Sequence, residues 1–259
     1  MFQPDFAQTA DRHHMAWRDY LVPQDWQHFS AEEHDVWDTL FARQLPYLGD
    51  RIVAPFLEGI PKLGLDEPGI PDLNRLNALL EPITGWQLVS VEGIVPDDAF
   101  FAMLSERRFP IGNFIRPADS LDYLKEPDCF HDILGHVPML AHEPVARLMQ
   151  VLGKLGIEAI AAGHGEIISR LYWHTVEFGL AREGGDVKIL GAGLASSFGE
   201  AHFALEAEVP RPRFTVEKAA ATPYRNDVFQ PLYFVSDSLE RVAAELEALD
   251  IKGLAKLAA

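Results

Sequence analysis

Two histidines five residues apart, His131 and His136, constrain this chain more than any other feature. They stand in the run Pro127-Asp-Cys-Phe-His-Asp-Ile-Leu-Gly-His-Val-Pro138, and Glu177 follows forty-one residues after the second. Two imidazoles and one carboxylate are the minimal protein set for a non-haem Fe(II) centre, because they cover one face of an octahedron and leave positions open. A closed four-ligand zinc site leaves none. On an ideal helix, side chains five apart diverge by about 140°. Both can reach one ion only if the helix ends or bends between them, and Gly135 and Pro138 predict such an interruption. The metalloprotease pattern is different: its histidines are four apart on one helix face with a Glu between them. Asp132 stands where a hydrolytic base would be sought, but nothing in the sequence fixes it in that role. Taken alone, the pair reads as readily as a satisfied core or capping pair, so the rest of the chain has to decide.

The chain is long enough for one sizeable core, with 48% of its 259 residues hydrophobic. Its 39 acidic and 22 basic residues give a formal charge of −17. That charge repels nucleic-acid phosphates and anionic lipid, so neither is expected as a partner. Cys129 is the single cysteine, so no intrachain disulfide forms and a reducing cytoplasm is expected. The first twenty residues lack the basic-then-apolar pattern of a signal peptide. No run approaches the roughly 20 apolar residues of a membrane span.

Residues 1–28 are polar, aromatic and irregular and read as an arm; residues 29–259 read as a single domain. Ser30 and Glu33 form a capping-box pattern ahead of Val36, Trp37, Leu40, Phe41 and Leu45. Further helices are expected at about 50–59, from Leu73 to Leu80, and from Asp97 to Met103. Trp86–Val91 alternates as a strand does, and 109–114 reads as extended. The polar segment Arg116–Pro127 is expected to be a long loop of the kind that often carries binding residues. Helices follow at about 128–137, 143–155 and 163–182, and Trp173 and Glu177 share a face of the last. Ser197 and Glu200 fit a second capping box. Leu239–Ala258 closes the chain as one amphipathic helix. His174, three residues before Glu177, has a spacing used in di-iron bundles, but no second such pair is evident and a single iron is favoured.

The chain resembles the pterin-dependent aromatic amino acid hydroxylases. The resemblance runs through Glu126–Pro138, through Tyr172-Trp-His-Thr-Val-Glu-Phe-Gly-Leu180, through Gly191-Ala-Gly-Leu-Ala-Ser-Ser-Phe-Gly-Glu200, and ends in Phe229-Gln-Pro-Leu-Tyr-Phe234. These blocks occur in family order over about half of the chain. It implies a mainly α fold, a single catalytic domain of packed helices with a few short strands around an iron site. It also implies a monooxygenase that uses Fe(II), molecular oxygen and a tetrahydropterin, tetrahydrobiopterin or a related one. Bacterial core-only members are the nearest likeness, so phenylalanine is the favoured substrate and tyrosine the product. Tyrosine or tryptophan hydroxylation remains the alternative within the family, and a zinc-dependent hydrolase the alternative outside it. The match covers the catalytic core, without the regulatory domain and tetramerisation helix of animal members, so a monomer is expected.

By this resemblance His131, His136 and Glu177 are the metal ligands. Arg116 falls at the position that holds the substrate carboxylate, which a guanidinium can bind through two parallel hydrogen bonds. Trp173, Phe178, Gly193 and Ser196 match substrate-pocket positions, and Ser196 could instead orient His131. Glu200 could act in a similar supporting way. The pterin site is assigned to Gly93, Val95, Phe100, Asp132 and Tyr172. Two departures stand out: Leu124 and Lys125 replace Thr and Pro, and Asp132 replaces a Glu.

Overall fold

A computed structural model describes residues 16–122 and 126–257 of the chain. The first fifteen residues of the arm, the Leu124 and Lys125 departures and the last two residues lie outside those described.

Helix α1 spans Ala31–Leu48 and starts where its capping box says it should. The Ser30 hydroxyl accepts from the Glu33 amide, and the Glu33 carboxylate accepts from the Ser30 amide. Helix α2 is Ala54–Lys62, a few residues later than the spacing predicts, after a 3₁₀ turn at Gly49–Arg51. Helix α3, Leu73–Thr84, is capped by Asp72, whose carboxylate accepts from the Asn74 amide. Strand β1 (Gln87–Val91) pairs in parallel with β2 (Arg108–Gly112) in the register Gln87↔Arg108, and α4 (Asp97–Ser105) makes the crossover. The arm is laid over this unit. Leu21 bridges to Val91, Trp17 buries beside Val91, Ala99 and Met103, and its indole donates to Glu106 at 3.0 Å.

The second half is helical around two short turns, His131–His136 and Trp173–Glu177. After His131–His136 come α5 (Val137–Leu140), α6 (Glu143–Ala161) and α7 (Gly165–Tyr172). Helix α6 passes close over α4 at Gly153, where a Cβ would stand 2.3 Å from the Ser105 amide nitrogen. A three-stranded sheet in the order β4-β3-β5 joins β3 (Leu180–Glu183), β4 (Asp186–Ile189) and β5 (Val235–Ser236). Helices α8 (Ala192–Ser196), α9 (Phe198–Glu206) and α10 (Val216–Ala221) lie between β4 and β5. The chain closes with α11 (Leu239–Glu247) and α12 (Ile251–Leu257).

Trp37, Trp86, Phe56, Phe130 and Tyr233 anchor the core, each fully buried. Each such side chain contributes about 1.5–3 kcal/mol of hydrophobic stabilisation. Trp37 meets Phe130 edge-on at 5.2 Å, which fastens α1 directly behind His131. The Trp86 indole donates to the Ala146 carbonyl, and the Thr84 hydroxyl to that of Leu140, so β1 and α3 brace the start of α6.

Three expectations need correction. The helix predicted over 163–182 ends at Glu177, because the Leu180 amide turns to the Phe234 carbonyl and enters the sheet. The closing helix is broken between Glu247 and Ile251, where the Asp250 carboxylate accepts from the Gly253 amide and caps a new start. The second capping box is only half made. Ser197 accepts from the Glu200 amide, but the Glu200 carboxylate takes the Gln230 amide and the Tyr233 hydroxyl instead.

Candidate metal centre and substrate pocket

Both ligand-bearing segments are π-helical, His131–His136 and Trp173–Glu177. This corrects the expected interruption at Gly135 and Pro138. A π-turn bonds residue i to i+5, which brings residues five apart onto one face without ending the helix. The Phe178 amide donates to the Trp173 carbonyl at 2.8 Å in that pattern. The spacing that diverges on an α-helix thus converges here. The His131 and His136 rings stand 5.3 Å apart with planes at 80°. Trp173 and Phe178, also five apart, meet at 4.8 Å.

His136 Nε2 lies 3.1 Å from Glu177 Oε1, and His131 Nε2 lies 3.7 Å from Oε2. All three ligand atoms fall within 4.8 Å of one another. Bonds of about 2.1 Å at right angles put neighbouring ligand atoms about 3 Å apart, so one divalent ion fits between them. Imidazole and carboxylate suit Fe(II), and three ligands from one side leave coordination positions open. Burial pushes the His131 imidazole down to about 4, so it is neutral and able to ligate at physiological pH. Burial alone would raise the Glu177 carboxyl. The two imidazoles reverse that and keep it below its ordinary value, as an anion.

Ser196 decides which His131 nitrogen is free. Its hydroxyl donates to the Ala192 carbonyl at 2.9 Å and meets His131 Nδ1 at 2.8 Å. With its proton committed to Ala192, the hydroxyl oxygen accepts from Nδ1–H, which leaves the Nε2 lone pair for a metal. His174 faces elsewhere, with Nε2 at 2.9 Å from the Thr222 carbonyl, so the di-iron spacing has no ligand role here.

The residues assigned to substrate fall around this centre. The Trp173 indole donates to Gln230 and stacks on Tyr224 at 4.3 Å. A Cβ at Gly193 would sit 2.6 Å from the Phe178 ring, so only glycine lets α8 come that close. Arg116 is buried rather than open. Nε donates to Asp128 Oδ2 at 2.7 Å, Nη2 to Oδ1 at 3.0 Å, and Nη1 to the Leu121 carbonyl. Asp128 also accepts from the His131 amide at 3.0 Å, so one carboxylate joins the guanidinium to the first metal ligand.

The residues assigned to pterin are arranged in two places. Phe100 meets Tyr172 edge-on at 5.4 Å, and the buried Tyr172 hydroxyl faces the Glu177 carboxylate. Burial and the nearby Glu177 carboxylate push that phenol well above its ordinary pKa. Asp132 accepts from the Gly112 amide at 2.7 Å, and burial pushes its carboxyl up to about 7. A carboxyl that can carry a proton suits the polar edge of a pterin. Gly93 and Val95 instead line a concavity of about 350 Å³ with Asp19, Tyr20 and Val22 of the arm.

Sequence reading missed Asp128, Tyr224 and Gln230. A buried Arg demands an anion, yet Asp119, Asp122 and Asp128 all stand within twelve residues of Arg116. Tyr224 and Gln230 carry no local signal.

The fold and the centre define a class. The family model for biopterin-dependent aromatic amino acid hydroxylases matches residues 18–253, and the chain belongs to that family. It is 47% identical to the phenylalanine-4-hydroxylase of Caulobacter vibrioides over 223 residues, 86% of this chain and 76% of that one. It is 38% identical to rat tyrosine 3-monooxygenase over 81% of this chain but only 43% of that protein. Among solved structures it is similar to Chromobacterium violaceum phenylalanine hydroxylase with bound oxidised Fe(III). There the TM-score is 0.89 at 39% identity, covering 99% of this chain and 94% of that one.

Proposed function

We propose that this chain is an iron- and tetrahydropterin-dependent monooxygenase that converts phenylalanine to tyrosine with molecular oxygen. The carrying observation is the convergence of His131, His136 and Glu177, whose ligand atoms lie within 4.8 Å of one another. Relatives named phenylalanine-4-hydroxylase at 38–47% identity support phenylalanine over the other aromatic amino acids.

Iron and a reduced pterin supply the activation of oxygen that aromatic hydroxylation requires. The chain's own residues hold and orient. Ser196 fixes the His131 tautomer. Trp173 and Phe178 give the amino acid's ring an apolar wall and limit water around it. Arg116 has five N–H donors and gives three to Asp128 and Leu121. The remaining two, one on each terminal nitrogen, are left for a substrate carboxylate. Phe100 and Tyr172 offer aromatic surface to a pterin, with Asp132 at its polar edge.

Residues 29–259 are the catalytic unit and 1–28 an arm, of which Trp17 and Leu21 pack against the unit. The unit works as a cytoplasmic monomer: one chain supplies every residue of the site, and a net charge of −17 weakly opposes self-association. No described helix is long and apolar enough to cross a membrane. Light scattering at micromolar protein tests the monomer. Product analysis with phenylalanine, tyrosine and tryptophan, each with Fe(II), oxygen and tetrahydrobiopterin, tests the activity. Tyrosine from phenylalanine at the highest kcat/KM is expected, and preferred turnover of tryptophan or tyrosine would overturn the substrate.

A further inference from the structure

A cavity of about 40 Å³ abuts both π-turns. Gly135 and His136 of the first turn and Thr175 and Val176 of the second form one wall. Aliphatic side chains from α6 and α11, Leu148 and Val242 among them, form the other, and both of these are buried. Two polar groups along it are engaged: the Thr175 hydroxyl donates to the Leu171 carbonyl at 2.6 Å, and His136 Nε2 faces Glu177. A buried water needs roughly 10–15 Å³ and two to four polar partners. This space is partly open and mostly apolar, with room but few partners for water, so it favours a small apolar guest.

Of the reactants in the reaction proposed above, only dioxygen is both apolar and small enough. We propose that this cavity is a holding site for dioxygen, set beside His136, from which the gas reaches the metal centre through fluctuations of the π-turns. The inference rests on the hydroxylase reading, but its test separates the two. The π-turns suit this role because a widened helix already departs from tight α packing, and dense α packing would leave no void beside the ligands.

Crystals of the intact metal-loaded chain pressurised with xenon are the direct test. A xenon atom between Leu148 and Val242 is expected, and no xenon there overturns the proposal. Val242→Leu fills the space, and Val145→Leu serves if that variant does not fold. The filled variant should exclude xenon and raise KM for oxygen several-fold. Cobalt(II) affinity, KM for phenylalanine and turnover at saturating oxygen should stay unchanged, whereas a merely structural disturbance of His136 would move cobalt affinity. Xenon excluded with KM for oxygen unchanged also overturns the proposal. A chain that binds xenon but forms no tyrosine from phenylalanine would instead overturn the hydroxylase reading.

Discussion

Asp128 grips Arg116 through both carboxylate oxygens, Oδ2 to Nε at 2.7 Å and Oδ1 to Nη2 at 3.0 Å, with both side chains buried. Because Oδ1 also accepts from the His131 amide, this pair links the candidate carboxylate clamp to the metal centre. Burial pushes the Asp128 carboxyl up, but the guanidinium and two backbone amides more than offset it and hold it below its ordinary value.

Arg116→Ala should therefore do two things. It leaves a buried carboxylate unpaired, which typically costs about 3–5 kcal/mol of stability. It also removes the carboxylate clamp, worth about 1.5–3 kcal/mol or roughly ten- to hundredfold in affinity. Urea unfolding and phenylalanine calorimetry read the two effects separately. Unchanged phenylalanine affinity in a folded variant would place the clamp elsewhere.

His131→Ala, His136→Ala and Glu177→Ala should each abolish tight metal binding, since a three-ligand site has no spare. Iron or cobalt per chain is the measure, with circular dichroism as the check on folding. A variant that retains one full equivalent removes its residue from the ligand set.

Ser196→Ala frees the His131 Nδ1 side and lets the ring reorient. Loss of such a supporting hydrogen bond typically costs 10–100-fold in metal affinity, on the order of what a cobalt(II) titration resolves easily. If packing alone orients His131, the titration curve will not move.

Glu200 yields a pH dependence away from the metal. Burial raises its carboxyl above the ordinary value despite the bonds from Gln230 and Tyr233. A raised folded-state pKa means the folded chain binds the proton more tightly than the unfolded one. Glu200 thus costs stability as pH rises from its unfolded value, about 4.3, through its folded value. Glu200→Gln keeps an acceptor for both partners and should gain stability relative to the parent as pH climbs through that window. Equal urea midpoints for the two chains from pH 4.5 to 8 would contradict this.

The sequence alone determined the helix starts after Ser30 and at Leu73 and the alternation of β1. Each depends on neighbours within a few residues, and side-chain caps and alternating patterns act at that range. It also marked His131, His136 and Glu177 as metal-ligand candidates, through four ordered blocks rather than through any one residue. It misjudged how His131 and His136 converge, because α and π turns differ by one hydrogen-bond register, and packing against Ala192, Ser196 and Phe109 selects the wider one. It could not find Asp128 as the partner of Arg116, Gln230 as the acceptor for Trp173, or Phe234 as the end of the ligand helix. Those pairings join residues 12, 57 and 54 positions apart. Only the tertiary structure decides them, because burial makes every polar group seek a partner while many distant partners satisfy the same local chemistry.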